Sequence, residues 1–144
     1  MRGPIQSLSV SYLVHATEDD ELVLEAVKKQ IVGETEFKRE DLEGHYGNRI
    51  SHVEFHLTGR DAEQAFSRIA RGMSQKSKRD LLSSISEHVD EHSALFLRLD
   101  KQRLVSGELS LGETDPVRVK VKPRVFLLKG GGAKFYSDLV AGSG

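Results

Sequence analysis

"QSLSVSYLVH", residues 6–15, alternates with a period of two. Leu8, Val10, Tyr12 and Val14 fall on one side and Ser7, Ser9 and Ser11 on the other, the pattern of a strand buried on one face only. Two later stretches repeat it. In "RISHVEFHLTG" (49–59), Ser51, Val53, Phe55 and Leu57 oppose His52, Glu54 and His56. In "VRVKVKPR" (117–124), Val117, Val119 and Val121 oppose Arg118, Lys120 and Lys122, and Pro123, which has no N–H to donate, ends the run. Strands of this kind require a second layer to cover their apolar face.

The segments between them supply it. After Asp61, "AEQAFSRIARGM" carries Ala62, Ala65, Phe66, Ile69, Ala70 and Met73 at the spacing of one buried helical stripe, with Arg68 and Arg71 off it. Following the first strand, Thr17 reads as an N-cap, and Glu18, Asp19, Asp20 and Glu21 place negative charge at the positive end of a helix dipole. That helix turns Leu22, Val23, Ala26, Val27 and Ile31 inward and stops at Gly33. A third helix is expected to start near Ser77 and Asp80, with Leu81, Leu82, Ile85 and Val89 inward.

"ETEFKREDLEG" (34–44) reads as a charged edge strand with Phe37 inward. "SALFLRLD" (93–100) reads as a central strand, and Leu104–Leu111 as a further one interrupted by Gly107. The expected fold is α+β in two layers, a mostly antiparallel sheet with two to three helices packed on one face. One domain covers residues 1–124. Residues 125–144, with three consecutive glycines at 130–132, read as a flexible or loosely docked tail.

The chain has no cysteine, which excludes disulfides, thiolate metal sites and a cysteine nucleophile, and fits a reducing, cytoplasmic setting. No apolar run approaches the ~20 residues of a membrane helix, so no membrane partner is expected. The N-terminal "MRGPIQSLSVSYLV" alternates as a strand does rather than forming a signal peptide. Nothing in the composition opposes a homo-oligomer.

The net charge of −1 is unevenly spread. Residues 1–71 hold nine Lys/Arg against thirteen Asp/Glu, and residues 72–144 hold twelve against nine. No acid stands between Asp115 and Asp138, whereas Arg118, Lys120, Lys122, Arg124, Lys129 and Lys134 do. Such a run creates a local field able to hold a polyanion on a near-neutral protein.

Catalytic motifs are scarce. "HVDEH", His88 to His92, matches the H-x-x-E-H spacing that could place His88, Glu91 and His92 around zinc in a metal-dependent hydrolase. The pattern is short, the chain has six histidines, and no third ligand follows, so it reads as a solvated helix end. His52 and His56 share a strand face, but about 13–14 Å apart from the strand rise, too far for one ion. "KGGGAK" lacks the Gly-Lys-Ser/Thr ending of a phosphate loop. The reading is therefore non-catalytic, with no cofactor or metal expected.

The better constellation is basic. Arg98 points opposite to Leu97 and Leu99, and Lys101, Gln102 and Arg103 follow directly. Arg118, Lys120 and Lys122 repeat at about 6–7 Å, close to the spacing of successive phosphates. A row of this kind holds a nucleic-acid backbone without reading its sequence. "GHYGN" (44–48) reads as a hairpin connection in which Tyr46 could stack on an unpaired base while His45 and Asn48 hydrogen-bond to it.

"VHATED" (14–19), "GHYGN" (44–48), "LFLRLDKQRLVSGEL" (95–109) and "DPVRVKVKP" (115–123), in that order and spacing, resemble an archaeal family of predicted RNA-binding proteins described as candidate exosome-associated subunits. Arg49 departs from the family pattern, which places a proline there, and leaves that turn less rigid. The resemblance implies a fold similar to that of the ribosomal protein that binds 5S RNA. It also implies an RNA partner in RNA processing or ribosome metabolism. The alternative is a scaffold subunit that contacts proteins of an RNA-processing complex.

Overall fold

The computed structural model describes residues 4–43, 48–124 and 131–142. β1 (Ile5–His15) runs through the middle of a five-stranded, wholly antiparallel sheet of order β2-β3-β1-β5-β4. Its alternation is realised as read: Leu8, Val10, Tyr12 and Val14 are buried in the core, with the serines on the other face.

α1 (Asp20–Val27) begins two residues later than expected. Its N-cap is Asp19, whose carboxylate accepts from the N–H groups of Glu21 and Leu22, and not Thr17. Val23, Ala26 and Val27 are buried, but Leu22, expected inward, is half exposed. The helix widens into a π-turn over Lys28–Val32 and closes at Gly33, whose φ of +72° suits glycine. Arg68 donates to the Ile31 carbonyl at 3.0 Å and so caps the turn.

β2 (Lys38–Glu43) is the exposed edge strand, paired with β3 (Arg49–Thr58) from Lys38 opposite Glu54 to Glu43 opposite Arg49. Phe37, expected inward, is over a third exposed beside the Phe55 ring. α2 (Gly59–Gly72) buries the stripe read from its sequence and lies across β1 and β3. α3 (Gln75–Ser83) starts from Ser74, whose hydroxyl accepts from Ser77 N–H, two to three residues before the expected start.

A 3-10 turn (Ile85–His88) leads to β4 (Leu95–Leu99). This strand is at the end of the sheet rather than its centre. Isolated bridges from Val89 to Leu95 and from Leu99 to Leu111 cover part of its outer edge. Leu104–Leu111 is not a strand. Lys101–Val105 forms the short helix α4, capped by the Asp100 carboxylate on Arg103 N–H, and packs beside α1.

β5 (Val117–Pro123) joins β4 to β1, its three valines buried. Residues 131–142, read as part of a loose tail, form α5 and dock against α3 and the 3-10 turn. Tyr136 is fully buried there and donates to the Ser93 carbonyl at 2.6 Å. Gly132 fits because any Cβ would stand 2.8 Å from a Val89 methyl. The result is the two-layer α+β fold expected, with five helices against the sheet instead of two to three.

Candidate nucleic-acid interface

The core-facing side of the sheet is covered by helices. On the other side, Glu54, His56, Phe96, Arg98, Arg118, Lys120 and Lys122 are exposed. Antiparallel register sorts these residues into rows, since directly opposed residues share a face. One row runs Lys38, Glu54, Ser11, Arg118, Arg98. The next runs His56, Ser9, Lys120, Phe96, and the third joins Thr58, Ser7 and Lys122.

Ser7, Ser9 and Ser11, alternate residues of the central strand, thus form a low floor beside the cations of β5. α3 and the 3-10 turn rise at the β4 edge, and the resulting groove has a volume of about 1080 Å³. Its basic side is β5 and Arg98, the wall at the β4 edge carries Asp80, Glu87 and Asp90, and Glu54 and Glu113 also line it. Among the described residues, Arg118, Lys120 and Lys122 make no ion pair, although Lys120 Nζ lies 5.4 Å from the Phe96 ring centroid. Arg98 is partly neutralised by Glu113 at 3.1 Å.

The other sequence-predicted contacts separate from this face. Lys101 is only 3% exposed and turns into the protein. Its ammonium donates to Asp115 Oδ2 at 2.6 Å, Leu13 O at 2.7 Å and Glu18 Oε1 at 3.0 Å. Burial removes it from any surface contact. Gln102 and Arg103 are exposed on α4, in the helical layer, and Arg103 is paired with Glu108 at 3.4 Å. Asn48 is exposed just ahead of β3, six residues from Glu54 and two strands from β5, roughly 20 Å from Arg118 by strand geometry. His45 and Tyr46 lie outside the described residues.

The Lys101 cluster draws together three of the four family-like stretches: His15 and Glu18 from the first, Lys101 from the third and Asp115 from the fourth. His15 Nε2 stands 3.2 Å from Asp115 Oδ2, and His15 N–H donates to Glu18 at 2.9 Å. His15, Glu18 and Asp115 are also the described residues grouped closely enough to hold a metal ion. Lys101 already places a positive charge against both carboxylates, so the grouping reads as an ion-pair knot joining β1, α4 and β5.

The "HVDEH" segment is not a zinc helix. His88 ends the 3-10 turn, its Nδ1 3.2 Å from the Phe96 carbonyl, while His92 lies in an exposed turn beside Glu91. Asp90 accepts from His92 N–H and Ala94 N–H, both at 2.9 Å, and so reverses the chain into β4. The sequence reading passed over Phe96. The available signal was its parity with Arg98, which sets an aromatic among cations on the polar face.

A family model described as RNA binding matches residues 7–123. The chain belongs to this RNA-binding family. Its relative "RNA-binding protein PAB1135" of Pyrococcus abyssi is 32% identical over 138 residues, covering 90% of each chain. The crystal structure of protein AF2318 from "Archaeglobus fulgidus" superposes with a TM-score of 0.80 at 30% identity, covering 94% of this chain and 99% of that one. Mth689, a DUF54 protein from Methanothermobacter thermautotrophicus, gives 0.72 at 28% identity, over 96% and 99%. The family match takes in all of β2 to β5 and β1 from Ser7, and ends at Pro123, before α5.

Proposed function

We propose that this protein is a non-catalytic RNA-binding protein of RNA processing or ribosome metabolism that holds RNA phosphates on the helix-free face of its sheet. Arg118, Lys120 and Lys122 form the row, and Arg98 extends it onto β4. The observation that carries this reading is that three successive outward positions of β5 are cations without an ion-pair partner among the described residues. Same-sign charges along one strand repel one another and are tolerated where a polyanion compensates them. The family description and the name of the Pyrococcus relative support RNA as that polyanion.

The test is RNA binding measured across a salt series. Affinity should fall linearly on a log–log plot, and Lys120→Ala/Lys122→Ala should reduce the slope by about two, one per lost phosphate contact. An unchanged slope and affinity in the double variant would remove the face from consideration.

A further inference from the structure

The groove holds one residue that phosphate binding does not explain. Phe96 is 42% exposed, the one large hydrophobic side chain among the described groove residues that stands exposed beside the serines, histidines and charges. It contributes nothing to the core, which its neighbours Leu95 and Leu97 enter from the opposite side of the strand. Its backbone is fixed by the ladder to β5 and by His88, whose Nδ1 is within 3.2 Å of its carbonyl oxygen. The ring is therefore a large apolar surface presented to water from a rigid strand.

Its surroundings are directional. Lys120, its cross-strand partner, lies over the ring, and Arg98 is the next outward residue on the same strand. Carboxylates of Glu87 and Asp90 line the groove on the side away from β5. A phosphate chain is attracted to β5 and repelled by that wall. A base attached to it meets the Phe96 ring first and the carboxylates next, which can accept hydrogen bonds from exocyclic amino groups.

From this geometry we infer that the face takes single-stranded RNA, with one unpaired base stacked on Phe96 and the adjoining phosphates on Lys120 and Arg98. The inference rests on the RNA-binding reading and narrows it to strandedness and orientation. A duplex keeps its base faces stacked on one another and has none to offer the ring. Stacking on an aromatic side chain tolerates any base, so the site selects unpaired RNA without selecting its sequence.

The experiment compares wild type, Phe96→Ala and Phe96→Trp, with Lys120→Ala as the electrostatic control. The probes are an unstructured RNA of about twelve nucleotides, within the usual footprint of a single-strand site, and a duplex of the same sequence. Phe96→Ala should weaken single-strand binding roughly 5- to 100-fold, leave duplex binding within about twofold, and keep the salt slope unchanged. The protein has no tryptophan, so Phe96→Trp introduces a lone fluorophore. Its emission should be quenched by the single strand and not by the duplex. If Phe96→Ala retains single-strand affinity while Lys120→Ala loses it, stacking is overturned and phosphate binding survives. If wild type binds neither RNA at low salt, both readings fall.

Discussion

Lys101 Nζ lies 2.6 Å from Asp115 Oδ2, a contact that ties the first residue of α4 to the turn entering β5. Asp115 has a left-handed φ of +46°, so the lysine holds an uncommon backbone in place at the start of the basic strand. Glu18 and the Leu13 carbonyl complete its partners, and no position is left for a phosphate.

Lys101→Met keeps the apolar stem and leaves two carboxylates without their cation. Removing one partner of a buried pair costs up to about 3–5 kcal/mol. Asp115 is a third exposed and can rehydrate, so about 2–4 kcal/mol is expected here. Urea unfolding measures it, with RNA affinity of the folded variant unchanged. Lost affinity at unchanged stability would return Lys101 to the interface.

Arg98 and Arg118 are directly opposed on neighbouring strands. Like charges so placed cost a few tenths to about 1 kcal/mol, offset in part by Glu113 beside Arg98. Arg118→Thr should raise the melting temperature by about 1–4 °C while lowering the RNA salt slope by about one. Stability and binding moving together in the same direction would contradict this opposition.

Tyr136 anchors α5 through its hydroxyl, which donates to Ser93 O at 2.6 Å and lies 3.3 Å from Val121 O. Tyr136→Phe should cost about 1–2 kcal/mol, read from the urea midpoint of the full chain. Burial, and secondarily Asp90, pushes this phenol well above its ordinary value, and burial followed by Asp20 does the same to Tyr12. A raised folded-state value means stability is complete below the unfolded value of about 10 and is lost as pH rises beyond it. In an alkaline absorbance titration, tyrosinate from these two residues should appear together with unfolding.

The Asp41 carboxyl is held below its usual range, first by the Ser51 hydroxyl at 2.7 Å and then by Arg39. Arg39 also reaches Asp20 at 2.7 Å and so joins the edge strand to α1. A depressed carboxyl contributes stability that is present above the unfolded value of about 3.9 and is lost as pH falls through the folded one. Ser51→Ala should move the Asp41 carboxyl resonance titration upward in an NMR pH series. Asp41→Asn should flatten the acid limb of the stability profile.

Local pattern identified β1, β3, β5 and α2 because a buried face of fixed period leaves its mark on consecutive residues. It missed α4, since five residues are too few for a helical period to register. The usable signal was Asp100, three residues ahead of the N–H it caps. It did not register α5 as a helix because a glycine run suits a linker as well as a tight contact, and the Val89 methyl beside Gly132 shows the contact.

The amino-acid sequence by itself determined which strands are half-buried and that Arg118, Lys120 and Lys122 share a face, because side-chain direction in a strand follows from position along it. Only the tertiary structure decided that Arg98 and Phe96 join that row while Lys101 leaves it. Register between β4 and β5 brings the first two there. Lys101 is withdrawn by carboxylates 83 and 14 residues away in the chain, a relationship that no local period encodes.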